Sequence, residues 1–395
     1  MISRVFGTFL SLAAACFFLV GPATGQDLPW ENVSVVDLGT DGFDFDIDLS
    51  RGLVYVSLPD ANALAYISLE DGTVQSQHFV GARPLGVDYG QHSDRVYVAL
   101  NQAAAVAQVN PDLQLVNEIV VGGNDGTGNN LTFDVVEASA GQVFASANPG
   151  SGGFARIARI DTNNNNSISR VAGNRIIRAS PTFLQTPDEQ VLFIGEGFSP
   201  NSLYGLDITD PTGPIFVEDD HGSVSGTTRT SISPDGSRIY LSSGQVLRSD
   251  SLVQSGSIGN GISEISSDGA LAYVFRQGGF STYSTETFLE VGSPIILPAE
   301  FGNQVSQFRL LPNGGGLIAL HDNQLLIATN EIPEPTGIPF ALGDVNRDGE
   351  VNFLDISPFI ALLATGEFQA EADFNMSGEI TFLDVSPFII ALTGG

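Results

Sequence analysis

Seven short runs of apolar, β-branched and aromatic residues recur along the first four-fifths of the chain. They lie at residues 53–56, 95–98, 142–145, 191–194, 238–241, 271–274 and 316–319. Continuous apolar runs of this length, bounded by Gly, Asp and Ser, are typical of strands buried on both faces. An alternating strand that ends in a polar turn precedes most runs, and one or two further strands follow. The pattern predicts units of four short strands, with about forty residues per unit.

This spacing is typical of propeller blades, and seven units predict an all-β, seven-bladed β-propeller over residues 32–330. Residues 32–37 form a strand that precedes the first unit, whereas the last unit, around residues 316–328, lacks an obvious fourth strand. We therefore expect the first strand to complete the last blade, which would close the ring without an exposed edge. A stack of β-sandwiches is the alternative with similar strand content.

Beyond residue 340 the pattern changes to two polar loops, each followed by a short apolar helix. The two copies are offset by 29 residues without a gap, which indicates a duplicated unit. Apolar residues recur at i, i+3, i+4 and i+7 and predict the core stripe of each helix. The stripe residues are Ile356, Phe359, Ile360 and Leu363 in the first copy and Val385, Phe388, Ile389 and Leu392 in the second.

Oxygen-bearing residues in both loops occupy positions 1, 3, 5, 7, 9 and 12, the spacing by which an EF-hand-type loop supplies ligands to Ca²⁺. In loop one, residues 344–355, the expected ligands are Asp344, Asn346, Asp348, the carbonyl of Glu350, Asn352 and Asp355. In loop two, residues 373–384, they are Asp373, Asn375, Ser377, the carbonyl of Glu379, Thr381 and Asp384. Gly349 and Gly378 lie at position 6, where the chain must turn sharply. The sequence therefore predicts two bound calcium ions.

Each loop ends in Asp rather than Glu and is followed, but not preceded, by a helix. With this pattern, residues 341–395 resemble the type I dockerin module, and the Pro-rich residues 331–340 form the linker that joins it to the propeller. The resemblance implies an α-helical module with two Ca²⁺ ions that docks onto a cohesin-like domain of an extracellular protein. Dockerins that dock onto cellulosome scaffolds usually carry small polar residues at loop positions 10 and 11, whereas both copies here carry Phe-Leu.

The leucines at position 11 are the predicted partner-binding residues. At 100° per residue, Leu354 lies on the far side of its helix from the core stripe, and Leu383 has the same position in the second copy. Phe353 and Phe382 fall nearer the stripe, where they could close the core. The alternative is that Leu354 and Leu383 pack on the propeller or on the linker prolines.

Residues 84–88 and 94–101 resemble the YVTN propeller repeat of bacterial surface and extracellular proteins. Later blades depart from this repeat, so the resemblance implies the blade plan alone. Some similar propellers are sugar-lactone hydrolases.

Residues 1–25 have the features of a secretory signal peptide, with Arg4, a following apolar run and small residues before Gln26. The alternatives are a membrane anchor, for which the run is short, and a lipoprotein acylated at Cys16. We expect a secreted or cell-surface protein with no membrane span in the mature chain. Because Cys16 is the only cysteine, the mature chain has no internal disulfide.

The formal net charge is −30, and all 15 basic residues are arginine. So acidic a chain repels nucleic acid and anionic lipid, which excludes both as partners. The hydrophobic content of 42% is ample for a folded core.

No catalytic residue is predicted. The four histidines, His78, His92, His221 and His321, fall in different units, and there is no serine elbow of the Gly-x-Ser-x-Gly kind. The sequence therefore favours a non-catalytic, secreted binding protein, tethered to an extracellular partner through its C-terminal module. The alternative is an extracellular propeller enzyme, a lactonase, glycoside hydrolase or polysaccharide lyase, that takes a carbohydrate ligand in polysaccharide catabolism. Acidic or histidine side chains that converge at one mouth of the central channel would favour the enzyme.

Overall fold

The computed structural model describes most of the propeller and of the C-terminal module. The described residues are 26–27, 32–112, 114–121, 131–148, 157–171, 177, 180–197, 201–210, 213–276, 278–292, 294–298, 301, 304–312, 315–329, 332, 342–347, 350–366, 369–374 and 380–392. The predicted signal peptide and nearly all of the predicted linker lie outside them.

The described strands form seven sheets, one for each predicted unit. Two strands precede the first complete blade, β1 (Gln26–Asp27) and β2 (Val33–Asp37). Blade 1 contains β3 (Phe45–Asp48), β4 (Leu53–Leu58), β5 (Ala63–Ser68) and β6 (Val74–Phe79). Blade 2 contains β7 (Pro84–Gly90), β8 (Arg95–Leu100), β9 (Ala105–Asn110) and β10 (Leu115–Val120). Blade 3 contains β11 (Leu131–Ser139), β12 (Gln142–Asn148), β13 (Ile157–Asp161) and β14 (Ser167–Arg170).

The later blades follow the same order. Blade 4 contains β15 (Thr182–Gln185), β16 (Val191–Gly195), β17 (Ser202–Asp207) and β18 (Ile215–His221). Blade 5 contains β19 (Ser231–Ile232), β20 (Arg238–Tyr240), β21 (Gln245–Arg248) and β22 (Gln254–Ser257). Blade 6 contains β23 (Ile262–Ile265), β24 (Leu271–Arg276), β25 (Gly279–Ser284) and β26 (Ile295–Ile296). Blade 7 contains β27 (Gln307–Leu310), β28 (Leu317–His321) and β29 (Gln324–Ala328).

The seven apolar runs of the sequence coincide with the second strand of each blade. These strands are buried because both of their faces pack against neighbouring blades; Tyr55 of β4 and Val96 of β8, for example, belong to one buried cluster between blades 1 and 2. The seven-bladed propeller is therefore confirmed, and the alternative of stacked β-sandwiches is wrong.

The ring is closed by β2, which pairs antiparallel with β29 from Val33↔Ala328 to Asp37↔Gln324. Two further hydrogen bonds extend this pairing: the Leu38 N–H donates to the Asn323 carbonyl at 2.8 Å, and Asn323 Nδ2 donates to Asp37 Oδ1 at 2.9 Å. The predicted closure is confirmed. The sequence did not predict the position of β1, which adds to blade 6 as a fifth strand, parallel to β26.

The C-terminal module contains two helices, α1 (Ile356–Thr365) and α2 (Phe382–Leu392), with 3₁₀ turns at Phe353–Asp355 and Ala370–Ala372. The rings of Phe359 and Phe388 stack at its centre, 4.1 Å apart and 15° from parallel. Around them lie the buried residues Val345, Ala372 and Ile380. None of the described helices is both long and apolar enough to cross a membrane.

The predicted core stripe is partly wrong, because Ile360 and Ile389 are more than half exposed. At 100° per residue Ile360 lies about 100° around α1 from Phe359. Only a narrow arc of each helix meets the other across the stacked phenylalanines, and Leu362 and Leu363 fill the flanks of that arc in α1. The two isoleucines therefore remain on the surface.

Candidate functional site

The innermost strands of the blades line a cavity of about 560 Å³ along the propeller axis. Acidic side chains converge in this cavity. Four aspartates from blades 1 to 3 line it, together with Glu264 of blade 6; these channel aspartates are Asp44, Asp46, Asp88 and Asp134. Arg229 and Arg309 lie on the wall as well. Sequence reasoning missed this site, although Asp at alternate positions of the first strands, as in residues 44–48, was a signal for it.

Each channel aspartate accepts a hydrogen bond from a backbone N–H of the next blade. The Oδ2 atoms accept from Val87 (to Asp44, 2.8 Å), Tyr89 (to Asp46, 2.7 Å), Glu137 (to Asp88, 2.8 Å) and Phe183 (to Asp134, 2.8 Å). Arg309 and Glu264 join blades 6 and 7 by an ion pair of 2.7 Å. The carboxylates thus link successive blades around the channel, which accounts for their positions without a ligand.

Burial raises the pKa of the channel aspartates. The pKa of Asp134 rises to about 7 because of burial and of the nearby charge of Asp44. Burial raises the pKa of Asp46 to about 6, and that of Asp88 well above its ordinary value. Carboxyl groups that titrate near neutrality can serve as general acids or bases. Here the same groups hold adjacent blades together, so their pKa values alone assign no reaction.

The histidines take no part in the channel, since none of the four lines the cavity. His92 Nε2 lies 2.8 Å from Glu189 Oε1. His221 Nδ1 lies 2.7 Å from Ser202 Oγ and belongs to the outermost strand of blade 4.

Loop one is held closed by its last residue, Asp355. The Oδ1 atom of this buried carboxylate accepts from the Asn346 N–H at 2.9 Å, and Oδ2 accepts from the Asn352 N–H at 2.8 Å. Asn352 in turn caps the following turn, where its Oδ1 accepts from the Leu354 N–H at 2.8 Å. Asp355, at position 12, therefore holds the backbone at Asn346 (position 3) and Asn352 (position 9). The carboxylate of Asp344 is buried in the same loop.

Loop two repeats this arrangement. Oδ2 of the buried Asp384 accepts from the Thr381 N–H at 2.8 Å and from Thr381 Oγ1 at 3.2 Å. Thr381 Oγ1 accepts from the Leu383 N–H at 3.2 Å, as Asn352 does for Leu354. Asp373 is buried like its counterpart Asp344. The predicted ligands Asp348, Asn375, Ser377 and Glu379 lie outside the described residues.

Four large apolar side chains point into solvent at the starts of the two helices. We call them the outer apolar residues; their exposed fractions are 73% for Phe353, 67% for Leu354, 87% for Phe382 and 74% for Leu383. The exposed leucines do not pack on the described propeller, and the linker prolines of the same alternative lie outside the described residues. Phe353 and Phe382 do not close the core. The exposed Ile360 and Ile389 extend the apolar surface of each copy.

Residues 342–392 match the family model of the Dockerin type I domain. These residues are a type I dockerin domain. The match covers both loops and both helices, and it extends over nearly the whole predicted module. The chain as a whole matches no curated protein sequence.

The propeller is similar to a solved chain of Kuenenia stuttgartiensis hydrazine synthase. The two share 14% sequence identity with a TM-score of 0.55, and the similarity covers 74% of this chain and 97% of that one. At this identity the comparison supports the fold and carries no activity over to this chain.

The described part of the dockerin domain fits calcium by its chemistry. Residues 341–395 contain nine acidic residues and one arginine, and four of the acids are buried loop aspartates. Burying carboxylates is costly unless a cation or hydrogen bonds balance them, and hard oxygen donors are those that Ca²⁺ prefers. Among the described residues, no group of three or more His, Cys, Asp or Glu side chains is arranged to hold a metal. A calcium site does not require such a group, because each predicted set of calcium ligands also includes amide, hydroxyl or backbone carbonyl oxygens.

Proposed function

We propose that this chain is a secreted, calcium-binding interaction protein without catalytic activity. Its propeller presents a binding surface, and its dockerin domain attaches the propeller to a cohesin-like domain of an extracellular protein. Ca²⁺ in loops one and two would hold the two helices in place. The observation that carries the proposal is the exposure of the outer apolar residues at corresponding positions of the two copies.

The exposed surface is too extensive and too regular to be incidental. A single exposed leucine is normal on a protein surface, but large apolar residues clustered in one small domain mark an interaction site. Removing one such side chain from water contributes about 1.5–3 kcal/mol. We therefore expect the partner to present an apolar contact surface rather than the polar one that small hydroxyl residues would require.

The duplication gives the dockerin domain two similar faces. Phe353 and Leu354 in one copy correspond to Phe382 and Leu383 in the other, 29 residues later. The partner can then bind either face, in two alternative orientations. This model predicts that one intact face suffices for binding.

The experiment compares capture of the partner from the host's secreted fraction, with and without calcium, by the full chain and three variants. Leu354→Asp alone should bind almost as well as the unchanged protein, and so should Leu383→Asp alone. The double variant should lose binding with unaltered calcium affinity. The matched control is Leu49→Asp, because Leu49 is an exposed leucine of the propeller. Loss of binding from either single change would rule out the two-face model, and full binding by the double variant would rule out the surface.

A second candidate, an extracellular propeller enzyme acting on sugars, is favoured by one observation. Carboxyl groups with pKa values raised toward neutrality converge in the channel. The hydrogen bonds from these groups to neighbouring blades support a structural role instead. Assays for sugar-lactone hydrolysis and polysaccharide cleavage decide between the two; turnover that is lost in Asp134→Asn, with the fold intact, would establish the enzyme.

A further inference from the structure

Arg347 connects loop one to the propeller. Its Nη1 lies 2.9 Å from Glu290 Oε2 in blade 6. Its Nε lies 3.2 Å from Glu371 Oε1, between the two copies of the dockerin domain. Arg347 is the only basic residue among the last 55 of the chain. The contact therefore uses the only positively charged side chain in the sequence of the dockerin domain.

Both carboxylates of this contact are buried. Glu290 is 5% exposed, next to Tyr283, with which it forms a backbone bridge at the edge of blade 6. Glu371 is fully buried, and its carbonyl accepts from the Gly343 N–H at 2.8 Å, directly before loop one. The side chain of Arg347 is 35% exposed, so the pair is only partly buried; removing Arg347 would nevertheless leave two buried carboxylates without their cationic partner, which is unfavourable. The contact is therefore of a kind that can hold two domains in one orientation.

The duplication is broken at this contact. Arg347 is at position 4 of loop one, and the corresponding residue of loop two is Met376; the counterpart of Glu371 is Leu342. The two loops share Asp at positions 1 and 12, Gly at position 6 and Phe-Leu at positions 10 and 11, so the difference at position 4 lies within a conserved frame. Only loop one thus carries the residue that reaches the propeller.

We propose that the dockerin domain docks onto blade 6 of its own propeller through Arg347, and that this contact couples calcium binding in loop one to the orientation of the propeller. The inference rests on the calcium binding of the proposed function. Arg347 is a positioning residue, since it lies between the ligand positions of Asn346 and Asp348. Arg347 has a left-handed φ of 60°, and an ion held by the neighbouring ligand positions would restrain this backbone.

Coupling of this kind is reciprocal. If calcium holds Arg347 in position for Glu290, then Glu290 strengthens calcium binding in loop one by the same factor. Loop two has Met376 at the corresponding position, and a methionine cannot form this ion pair. The outer apolar residues stay exposed while the contact is made, so docking onto blade 6 is compatible with binding of a partner.

The experiment is a calorimetric calcium titration of the full-length chain after removal of bound metal. The decisive variant is Glu290→Gln, because it changes the propeller and leaves the dockerin domain untouched. The control is Glu286→Gln, an exposed glutamate of the same blade. Arg347→Met gives loop one the residue that loop two has. The orientation of the two domains is measured on the same proteins by small-angle scattering, with and without calcium.

We expect the unchanged protein to bind two ions. Glu290→Gln should weaken one of them by about fivefold, the lower end of the range for coupled sites, and should broaden the distribution of domain orientations. Arg347→Met should weaken the same ion at least as much, because it also removes the ion pair with Glu371. The double variant should lose no more than Arg347→Met alone. If two ions bind and Glu290→Gln behaves like Glu286→Gln, the coupling is refuted while the proposed function stands. If the unchanged protein binds no calcium, both fail.

Discussion

The strand that closes the ring offers the sharpest test of the fold. Deleting residues 26–38 removes β2 together with Val36 and Leu38, which are 6% and 2% exposed. Burial of such side chains contributes about 1.5–3 kcal/mol each, so the loss is about 3–6 kcal/mol. The deletion also leaves the backbone of β29 without a partner. At about 2 °C per kcal/mol for a domain of this size, the melting temperature should fall by about 6–12 °C.

The assay is thermal unfolding followed by circular dichroism in saturating calcium. The matched control is deletion of residues 26–31, which removes β1 but leaves the closing strand in place. If the longer deletion melts at the same temperature as the shorter one, β2 does not hold the ring together and the reasoning from burial is wrong.

Two further predictions concern the loops and the channel. Residues 341–395 should fold only with calcium. In a calorimetric titration, Asp344→Ala should weaken binding more than Asp373→Ala, because the sequence predicts three carboxylate ligands in loop one and two in loop two; the reverse order would contradict this. Burial raises the pKa of Asp134 to about 7 and the pKa of Asp46 to about 6. Between about pH 4 and 7 the folded propeller therefore binds more protons than the unfolded chain. Because of this difference, these two groups make the propeller less stable as the pH rises. Urea unfolding across this window should show a flatter pH dependence in Asp134→Asn than in the exposed control Asp60→Asn, and equal slopes would refute the assignment.

The blade plan could be predicted because a strand buried on both faces leaves a local mark in the sequence. Apolar runs such as residues 95–98 and 271–274 are continuous, since both faces of the second strand pack against other blades. Closure could be predicted from the same pattern, because one strand preceded the first blade and the last blade lacked its fourth strand. The spacing of the calcium loops is equally local, and their duplication identified the dockerin domain.

The hydrogen bonds between blades in the channel and the contact of Arg347 with blade 6 could not be predicted, although alternating Asp residues hinted at an acidic channel. Asp88 and the Glu137 N–H of blade 3 come together only when the blades are arranged around the axis. Arg347 and Glu290 are separated by about 57 residues in the sequence, so no local pattern reveals their contact. Helical periodicity likewise overestimated the core of α1, because it identifies an apolar stripe but not how much of that stripe a second helix covers. Ile360 was misassigned for this reason.

The pairing of β2 with β29 also sets an order of events during synthesis. Val33 and Ala328 are neighbours in the closed ring but are separated by about 300 residues, so the first strand waits for the last blade before it gains its partner. Until then β2 has no partner strand, and two unfinished chains can exchange their first strands and form a domain-swapped dimer. The dockerin domain is made after β29. A chain that can attach itself to a partner therefore already contains every strand that its ring requires.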